Sequence, residues 1–182
     1  MAFRAELADF SAFYERTYPL AYRTALAICG DPGLAADVTQ DAYLSAYRER
    51  ERFRGEAPAG AWLHRIVVRA ALAGLRHRRV IWLGPAELSA DETSWSAPDA
   101  IAPLDLRRAL DVLAPTQRAA IVLRYYHGLD YAAIASILDT SAGNVGSLLS
   151  RALDRLRIEL EDPDQPALAG AAAGTGEAGH GR

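Results

Sequence analysis

The sequence predicts an all-α fold in which two small helical domains are joined by a flexible acidic linker. Apolar residues recur at helical spacing along most of the chain, and strand-type alternation is nearly absent. The segment 82–103, WLGPAELSADETSWSAPDAIAP, has turn-forming residues, four acids and no cation, which is typical of a linker. We expect a first domain at 1–80, a linker at 81–104, a second domain at 105–160 and a disordered tail at 161–182.

Composition sets the broad class of the protein. With 182 residues, 51% of them hydrophobic, the chain can bury one ordinary core or two small ones. No apolar run approaches the roughly 18 residues that span a bilayer, and the N-terminus lacks the basic, then apolar, pattern of a secretory signal. We therefore expect a soluble, cytoplasmic protein without membrane insertion. The single cysteine, Cys29, lies in the apolar pattern LAICG and is predicted to be a buried thiol.

Three helices are predicted in the first domain. The first runs from about Leu7 to Cys29, where GDPG ends it. Asp31 is predicted to be an N-cap with Pro32 at the first helical position, and this second helix reaches about Arg52. The turn FRGEAPAG then precedes a third helix, AWLHRIVVRAALAGLRHRR, which ends near Arg79.

Four helices are predicted in the second domain. They span about Leu104 to Leu113, Pro115 to His127, Tyr131 to Leu138, and a run that begins after Ser141. Asp130 and Ser141 are N-caps, and His127 closes its helix as a cation that suits the helix dipole. The short turn DTS between the last two helices has helix-turn-helix spacing.

One face of the second helix is polar. Residues three or four apart share a helix face, and this face holds Asp37, Gln40, Asp41, Leu44 and Arg48. Leu34, Val38 and Ala42 fall on another face. From spacing alone, a solvated surface is the favoured interpretation.

The third helix combines cations with an aromatic residue. No acid lies between Glu56 and Glu87, and the cations of that window are Arg65, Arg69, Arg76, Arg78 and Arg79. Trp62 lies on the same helix, and Phe53 lies in the turn before it. Rings that stack on bases beside arginines that hold phosphates suit single-stranded nucleic acid. A core tryptophan beside a solvated basic surface fits the pattern equally well.

Two runs of the sequence resemble one family. The run DVTQDAYLSAYRERERFRGEAPAGAWLHRI, 37–66, resembles the polymerase-binding and promoter-melting domain of bacterial RNA polymerase sigma factors of the extracytoplasmic-function group, whose usual pattern is D-L-x-Q-E-x-F … F-R-G … W-L-x-x-I. The run ALDVLAPTQRAAIVLRYYHGLDYAAIASILDTSAGNVGSLLSRALDRL, 109–156, is similar to the same family's second DNA-binding domain. The resemblance covers about 8–80 and 105–160. It implies a three-helix domain of the sigma domain 2 type followed by a helix-turn-helix domain of the sigma domain 4 type.

The resemblance implies partners and site residues. The partners are core RNA polymerase, through the coiled coil of its largest subunit, promoter DNA, and an anti-sigma factor that covers the same faces. The implied polymerase-binding residues are Asp37, Gln40, Asp41, Leu44 and Arg48. The implied residues for the minus-ten element, whose non-template strand is captured with a flipped base, are Phe53, Arg54, Trp62, Arg65, Arg69 and Arg76. The implied helix-turn-helix contacts to an upstream element are Ser141, Asn144, Ser147, Arg151 and Arg155. The acidic linker resembles the family segment that threads through the polymerase.

Several positions depart from the family pattern. Arg69 stands where relatives often have Asn, and Asp139 replaces a turn glycine, although an Asp can adopt the left-handed conformation. On the last helix, positions that often carry Lys or Arg are here Gly146, Leu148, Leu153 and Asp154. At 100° per residue, the apolar arc of this helix comprises Val145, Leu148, Leu149, Ala152, Leu153 and Leu156. The polar face has few cations, so the second domain alone is expected to bind duplex DNA weakly and to depend on the tethered first domain.

Two alternatives stay open at the level of the sequence. The protein could be a helix-turn-helix regulator with a partner other than polymerase. Its second domain could instead be a protein-interaction module that docks through Leu148 and its neighbours. An enzyme is not expected, because the four histidines are scattered and no phosphate loop, metal-spaced cluster or nucleophile–base pairing occurs. No cofactor or metal is expected.

Overall fold

The structure is a computed structural model that describes residues 7–55, 57–82 and 109–161, with side-chain placement for all of these except 79–82 and 161. Every regular element in these ranges is helical, as predicted. The helices are α1 (Phe10–Cys29), α2 (Pro32–Glu49), α3 (Ala59–Trp82), α4 (Pro115–Ile121), α5 (Tyr131–Leu138) and α6 (Ala142–Glu161). Nearly all of the predicted linker and tail, and the helix start at Leu104, lie outside the described residues.

Side-chain caps explain where the helices begin. Asp9 accepts from the Ala12 amide at 3.0 Å, so α1 starts slightly later than the predicted Leu7. Asp31 accepts from the Leu34 amide at 2.6 Å, with Pro32 in the first turn, as predicted. Asp130 and Ser141 cap α5 and α6 in the same way, at 2.7 and 3.2 Å.

The ends of the helices differ in detail from the predictions. A 3₁₀ turn, Arg50–Arg52, completes the second helix, and α3 continues to Trp82 rather than ending near Arg79. After α4 the chain continues as a π-helical turn, Val122–Tyr126. Asp139 ends α5 in the left-handed conformation, with φ 53°, which confirms the prediction for this substituted turn.

Helices α1, α2 and α3 form one bundle, and α4, α5 and α6 pack around a second apolar centre. The first centre includes Phe13, Ile28, Leu63 and Val67, all fully buried. The second includes Leu123, Ile134 and Val145, also fully buried. The two centres belong to one continuous buried cluster. Cys29 is buried, as predicted, and burial raises the pKa of its thiol to about 12.

The end of α1 is one of the places where the two domains meet. Gly30 has φ +73° and donates its amide to the Leu26 carbonyl at 2.9 Å. A Cβ at Gly30 would lie 2.9 Å from Nη1 of Arg118 and 3.0 Å from a carboxylate oxygen of Asp111. Both the backbone conformation and the close approach therefore require glycine.

Replacing Gly30 by Ala is expected to lower the free energy of unfolding by about 2 kcal/mol, because the left-handed conformation alone costs about 1 to 2 kcal/mol. Chemical denaturation measures this loss. Gly143→Ala is the matched control, because a Cβ there meets nothing within 4 Å and Ala favours a helix over Gly. Equal stability of wild type and Gly30→Ala would contradict the expectation.

Candidate polymerase and promoter surfaces

The five implied polymerase-binding residues form an exposed stripe along α2. Asp37, Gln40, Asp41, Leu44 and Arg48 all face solvent. The opposite side of α2 buries Ala35, Val38, Ala42 and Ala46. The packing of the bundle therefore determines which face of α2 is exposed. Leu44 is 48% exposed and lies beside Tyr47, which is also 48% exposed, and contiguous exposed apolar surface is typical of a contact surface.

An aromatic groove borders this stripe on the side of α1. Its volume is about 390 Å³, and Gln40 and Leu44 contribute to its wall. The rest of the wall is largely aromatic and includes Phe10, Tyr14, Tyr18, Tyr43 and Tyr47. Sequence reasoning did not find this groove, because its rings come from two helices. Their i, i+4 spacing, as in Tyr14 and Tyr18 and in Tyr43 and Tyr47, was the available signal.

A hydrogen bond fixes the two walls of the groove. The hydroxyl groups of Thr17 on α1 and Tyr43 on α2 lie 2.7 Å apart. Burial raises the pKa of Tyr43 to about 12, so its hydroxyl stays protonated at physiological pH. The groove therefore offers neutral rings beside a stripe that carries both acids and a cation.

A second groove, of about 730 Å³, lies on the other side of the stripe, between α2 and α3. Asp37 and Asp41 line it together with Gly74 and His77. Close packing forms its floor, since a Cβ at Gly74 would lie 3.1 Å from Cγ2 of Val38. The exposed stripe of α2 is therefore a ridge between two grooves.

The predicted minus-ten residues share one face of α3 but differ in exposure. Arg65, Arg69 and Arg76 are exposed and Trp62 is half-buried. In the preceding turn Arg54 is exposed, whereas Phe53 is buried at 6% exposure with its ring centroid 4.9 Å from that of Trp62. Phe53 is thus placed to hold Trp62 in position, and Trp62 is the ring that remains partly accessible.

Not every cation of the basic window is free for nucleic acid. Arg78 pairs with Asp31 at 3.2 Å. Although partial burial opposes ionisation, the Leu34 amide and Arg78 together lower the pKa of Asp31. Arg69 donates from Nε to the Ile137 carbonyl at 3.2 Å and from Nη2 to the Ser136 carbonyl at 3.1 Å. These two carbonyls lie at the end of α5, in the other domain.

Helix α6, the second helix of the helix-turn-helix, presents the predicted polar face. Ser141, Asn144, Ser147, Arg151 and Arg155 are all exposed. Several are held by local hydrogen bonds: Asn144 Nδ2 donates to Thr140 Oγ1 at 2.8 Å, and Arg151 Nε donates to the Ser147 carbonyl at 3.0 Å. Arg155 donates to the Val112 carbonyl at 3.2 Å. Asn144 and Arg151 keep further hydrogen-bonding groups at the exposed surface.

Two interpretations of α6 are corrected by the structure. Leu148 is buried at 9% exposure, with Val145, Leu149 and Ala152 beside it in the core. An exposed docking stripe built on Leu148 is therefore wrong. Leu153, at one end of the predicted apolar arc, is 44% exposed, whereas Leu148 at the other end is buried.

His127 and His64 meet where the domains pack. His127 follows the π-helical turn, and its Nε2 lies 2.9 Å from Oγ1 of Thr24 on α1. Its ring centroid is 4.5 Å from that of His64 on α3, whose Nε2 is buried without a hydrogen-bond partner. Burial lowers the pKa of His127, and burial followed by repulsion from His127 lowers the pKa of His64 to about 4. His127 closes its helix as predicted, but as a neutral group rather than as the predicted cation.

Lowering the pH from 7.5 to 5 is expected to destabilise the protein through His64. Its pKa of about 4 in the folded chain lies below the ordinary value of about 6.5, so the unfolded chain takes up the proton first. The folded state holds His64 in its neutral form. The stability that depends on this is complete above about pH 6.5 and is lost as the pH falls towards 4. At pH 5 the loss is about 1 kcal/mol, after a discount for partial exposure.

Denaturant titrations of wild type and His64→Gln at the two pH values test this expectation. The acidic residues and the remaining histidines are the same in both proteins. The difference between their losses of unfolding free energy on acidification therefore reports the contribution of His64. The variant should lose less stability on acidification. An equal loss in both chains would contradict the assignment.

Among the helices of the described residues, none combines the length and apolarity that crossing a bilayer requires.

Each of the two domains matches a known protein family. Residues 13–80 match the Sigma-70 region 2 family and residues 104–156 match the Sigma-70, region 4 family. The chain is 31% identical over 167 residues to the RNA polymerase sigma-E factor of Streptomyces avermitilis, covering 90% of this chain and 92% of that protein. It is 37% identical over 150 residues to the ECF RNA polymerase sigma factor SigM of Mycobacterium tuberculosis, covering 81% of this chain and 74% of that protein.

Two solved structures share the fold. The sigma factor RpoE, in complex with the anti-sigma factor NepR from Bartonella quintana, has a TM-score of 0.65 at 24% identity and covers 85% of this chain and 98% of that one. CnrH, in complex with the cytosolic domain of CnrY, has a TM-score of 0.64 at 23% identity and covers 91% of this chain and 100% of that one. By its sequence relatives and its two family domains, the chain belongs to the extracytoplasmic-function RNA polymerase sigma factors, the subunits that direct bacterial polymerase to promoters.

Proposed function

We propose that this sigma factor binds core RNA polymerase through the α2 ridge, opens the minus-ten element on α3 and reads an upstream element with α6. The observation that carries the proposal is the exposed ridge with Leu44 at its centre, on a different helix from the cationic face of α3. One surface is suited to a protein partner and the other to a phosphate backbone.

The minus-ten role rests on the chemistry of α3. Trp62 supplies a partly accessible ring backed by Phe53, and Arg65 and Arg76 supply exposed cations along the same face. A base removed from the duplex stack loses a few kcal/mol of stacking, and a ring that stacks on it recovers part of that cost. In this role the protein acts as a non-catalytic subunit and works in the cytoplasm, where polymerase and promoters are found.

An anti-sigma factor is a further proposed partner. The structurally similar sigma factor RpoE is described in complex with the anti-sigma factor NepR, and CnrH is described in complex with the cytosolic domain of CnrY. The α2 ridge is flanked by two grooves of about 730 and 390 Å³, which a partner protein could enter. A partner seated there would compete with polymerase for the same residues.

Replacing Asn144 and Arg151 by Ala is expected to relax sequence preference at the upstream element. A well-placed pair of hydrogen bonds to a base edge discriminates by about 1 to 3 kcal/mol, so each substitution should reduce preference at its base pair about fivefold or more. Sequencing of the transcripts from a promoter library measures this preference. The minus-ten preference should be unchanged. Arg157→Ala, an exposed cation at the margin of α6, is the control. Unaltered upstream preference would show that α6 does not read bases.

The proposed function is tested by transcription from a promoter library with purified core polymerase. Core enzyme with the protein should yield transcripts from a distinct subset of templates, and core enzyme alone should not. A library without any enriched template, or a protein that fails to bind core enzyme, would overturn the proposal.

A further inference from the structure

The side-chain amide of Asn144 is held by the turn that precedes its helix. Its Nδ2 donates to Oγ1 of Thr140 at 2.8 Å, and its backbone amide donates to Oγ of Ser141 at 3.2 Å. The first bond orients the side chain, and the second caps α6. Asn144 is exposed, so the oriented amide lies at the surface of the helix that is proposed to approach DNA.

The position of the Thr140 hydroxyl is itself fixed by the fold. Asp139 ends α5 in the left-handed conformation, with φ 53° and ψ 55°. The backbone amide of Thr140 then donates to the Ala135 carbonyl at 3.0 Å, which ties this residue to the last turn of α5. That helix is anchored in the core through Ile134, which is fully buried. Thr140 therefore links the core of the second domain to the side chain of Asn144.

The orientation of an amide side chain decides which base it can recognise. The group carries one oxygen acceptor and two N–H donors, and a half-turn of the group exchanges their positions. Adenine offers a donor and an acceptor side by side in the major groove, so it pairs with an amide that presents its oxygen and one N–H in the matching order. The bond to Thr140 uses one N–H of Asn144 and leaves the other N–H and the oxygen for a base. Without that bond, the amide can rotate and present the reversed order.

Arg151 is held in a similar way, but by the backbone. Its Nε donates to the Ser147 carbonyl at 3.0 Å, which leaves the two terminal nitrogens of the guanidinium for other partners. Asn144 and Arg151 are seven residues apart in the sequence, so they point within about 20° of the same direction and lie about 10 Å apart along α6. This distance corresponds to about three base pairs. The base pairs that they reach are therefore separable in an experiment.

We propose that Thr140 is a positioning residue for promoter reading, which fixes the Asn144 amide before DNA arrives and so sets the preference for adenine at one base pair of the upstream element. This rests on the proposed function, in which α6 reads that element. An amide that is already ordered loses less conformational freedom on binding. Thr140 acts through Asn144 and needs no contact of its own with a base. Its effect is therefore confined to the base pair that Asn144 reads.

The positioning is tested first without DNA, by NMR relaxation of the Asn144 side chain in the full-length protein. Asn144 is the only asparagine of the sequence, so asparagine labelled at its side-chain nitrogen gives a single amide group to follow. The order parameter of this amide should be high in wild type and in Thr140→Ser. It should be clearly lower in Thr140→Val, which keeps the shape of the side chain but removes the oxygen. Equal order parameters in wild type and Thr140→Val would overturn the positioning.

Base preference is then measured with core polymerase and the promoter library. Asn144→Ala identifies the base pair that Asn144 reads. Thr140→Val should lower the preference at that pair about threefold, as expected for the loss of one exposed neutral hydrogen bond, and should leave the pair read by Arg151 unchanged. Thr140→Ser should keep the wild-type preference. No change in Thr140→Val, or equal losses at both base pairs, would overturn the proposal.

The outcomes separate the role of Thr140 from the proposed function. Normal selection by Thr140→Val, together with relaxed selection by Asn144→Ala, would reject the role of Thr140 alone. A wild type that enriches no template would reject the proposed function and, with it, the reading role of Thr140. The NMR measurement contains neither polymerase nor DNA, so it still decides in that case whether Thr140 orders the amide.

Discussion

Replacing Leu44 by Arg is expected to weaken binding to core RNA polymerase by about thirtyfold or more. Leu44 is the most apolar part of the α2 ridge and is 48% exposed, so a partner helix that covers the ridge buries it. A few central, fully covered residues of an interface contribute about 2 kcal/mol or more when removed, and the substitution also brings an unpaired charge into the contact. Fluorescence anisotropy of labelled protein titrated with core enzyme measures the loss.

The acids beside Leu44 allow a second form of the same test. Asp41→Arg reverses a charge on the ridge without altering the core, because the side chain is exposed. Glu15→Arg makes the same change on the exposed surface of α1, outside the ridge. Asp41→Arg should weaken binding at least tenfold, while Glu15→Arg should bind like wild type. Similar losses in both would show that general charge, rather than the ridge, controls the interaction.

Replacing Trp62 by Ala is expected to reduce promoter opening by about tenfold or more. Base–aromatic stacking contributes about 1 to 3 kcal/mol per base, and Trp62 is the accessible ring of the α3 face. The defect should be large on duplex templates and small on templates whose minus-ten region is already unpaired, because the stacking energy is needed to separate the strands. Fluorescence of 2-aminopurine in the minus-ten element follows opening directly.

Controls for Trp62 separate its ring from the folding of the domain. Phe53→Leu keeps an apolar side chain beneath Trp62 and should reduce opening less than Trp62→Ala. Arg23→Ala removes an exposed cation of α1, outside the α3 face, and should leave opening unchanged. Equal defects of Trp62→Ala on duplex and unpaired templates would argue against a role in melting.

The helices could be predicted because their signals are local. Caps such as Asp31 and Asp130, and the left-handed Asp139, depend on a few neighbouring residues, and each lies where the pattern indicates. The exposed stripe of α2 could be predicted from the spacing of its residues, but its function could not. Only the family resemblance distinguished it from a solvated face.

The contacts between the domains could not be predicted because they join residues far apart in the sequence. His64 and His127 are ordinary in isolation, and their low pKa values follow from a shared buried position. Arg69 has the features of a DNA contact on its own helix. Its bonds to Ser136 and Ile137 depend on how the second domain packs, which periodicity does not encode. The aromatic groove between α1 and α2 could not be predicted for the same reason, because its residues come from two different helices.

Run-off transcription on a template enriched from the promoter library, paired with the same template carrying a scrambled minus-ten element, tests the sigma-factor assignment most directly. With core polymerase, wild-type protein should give a discrete product from the intact template alone, and Leu44→Arg should give little product from either. Product from both templates, or from core polymerase without the protein, would contradict promoter direction by this chain.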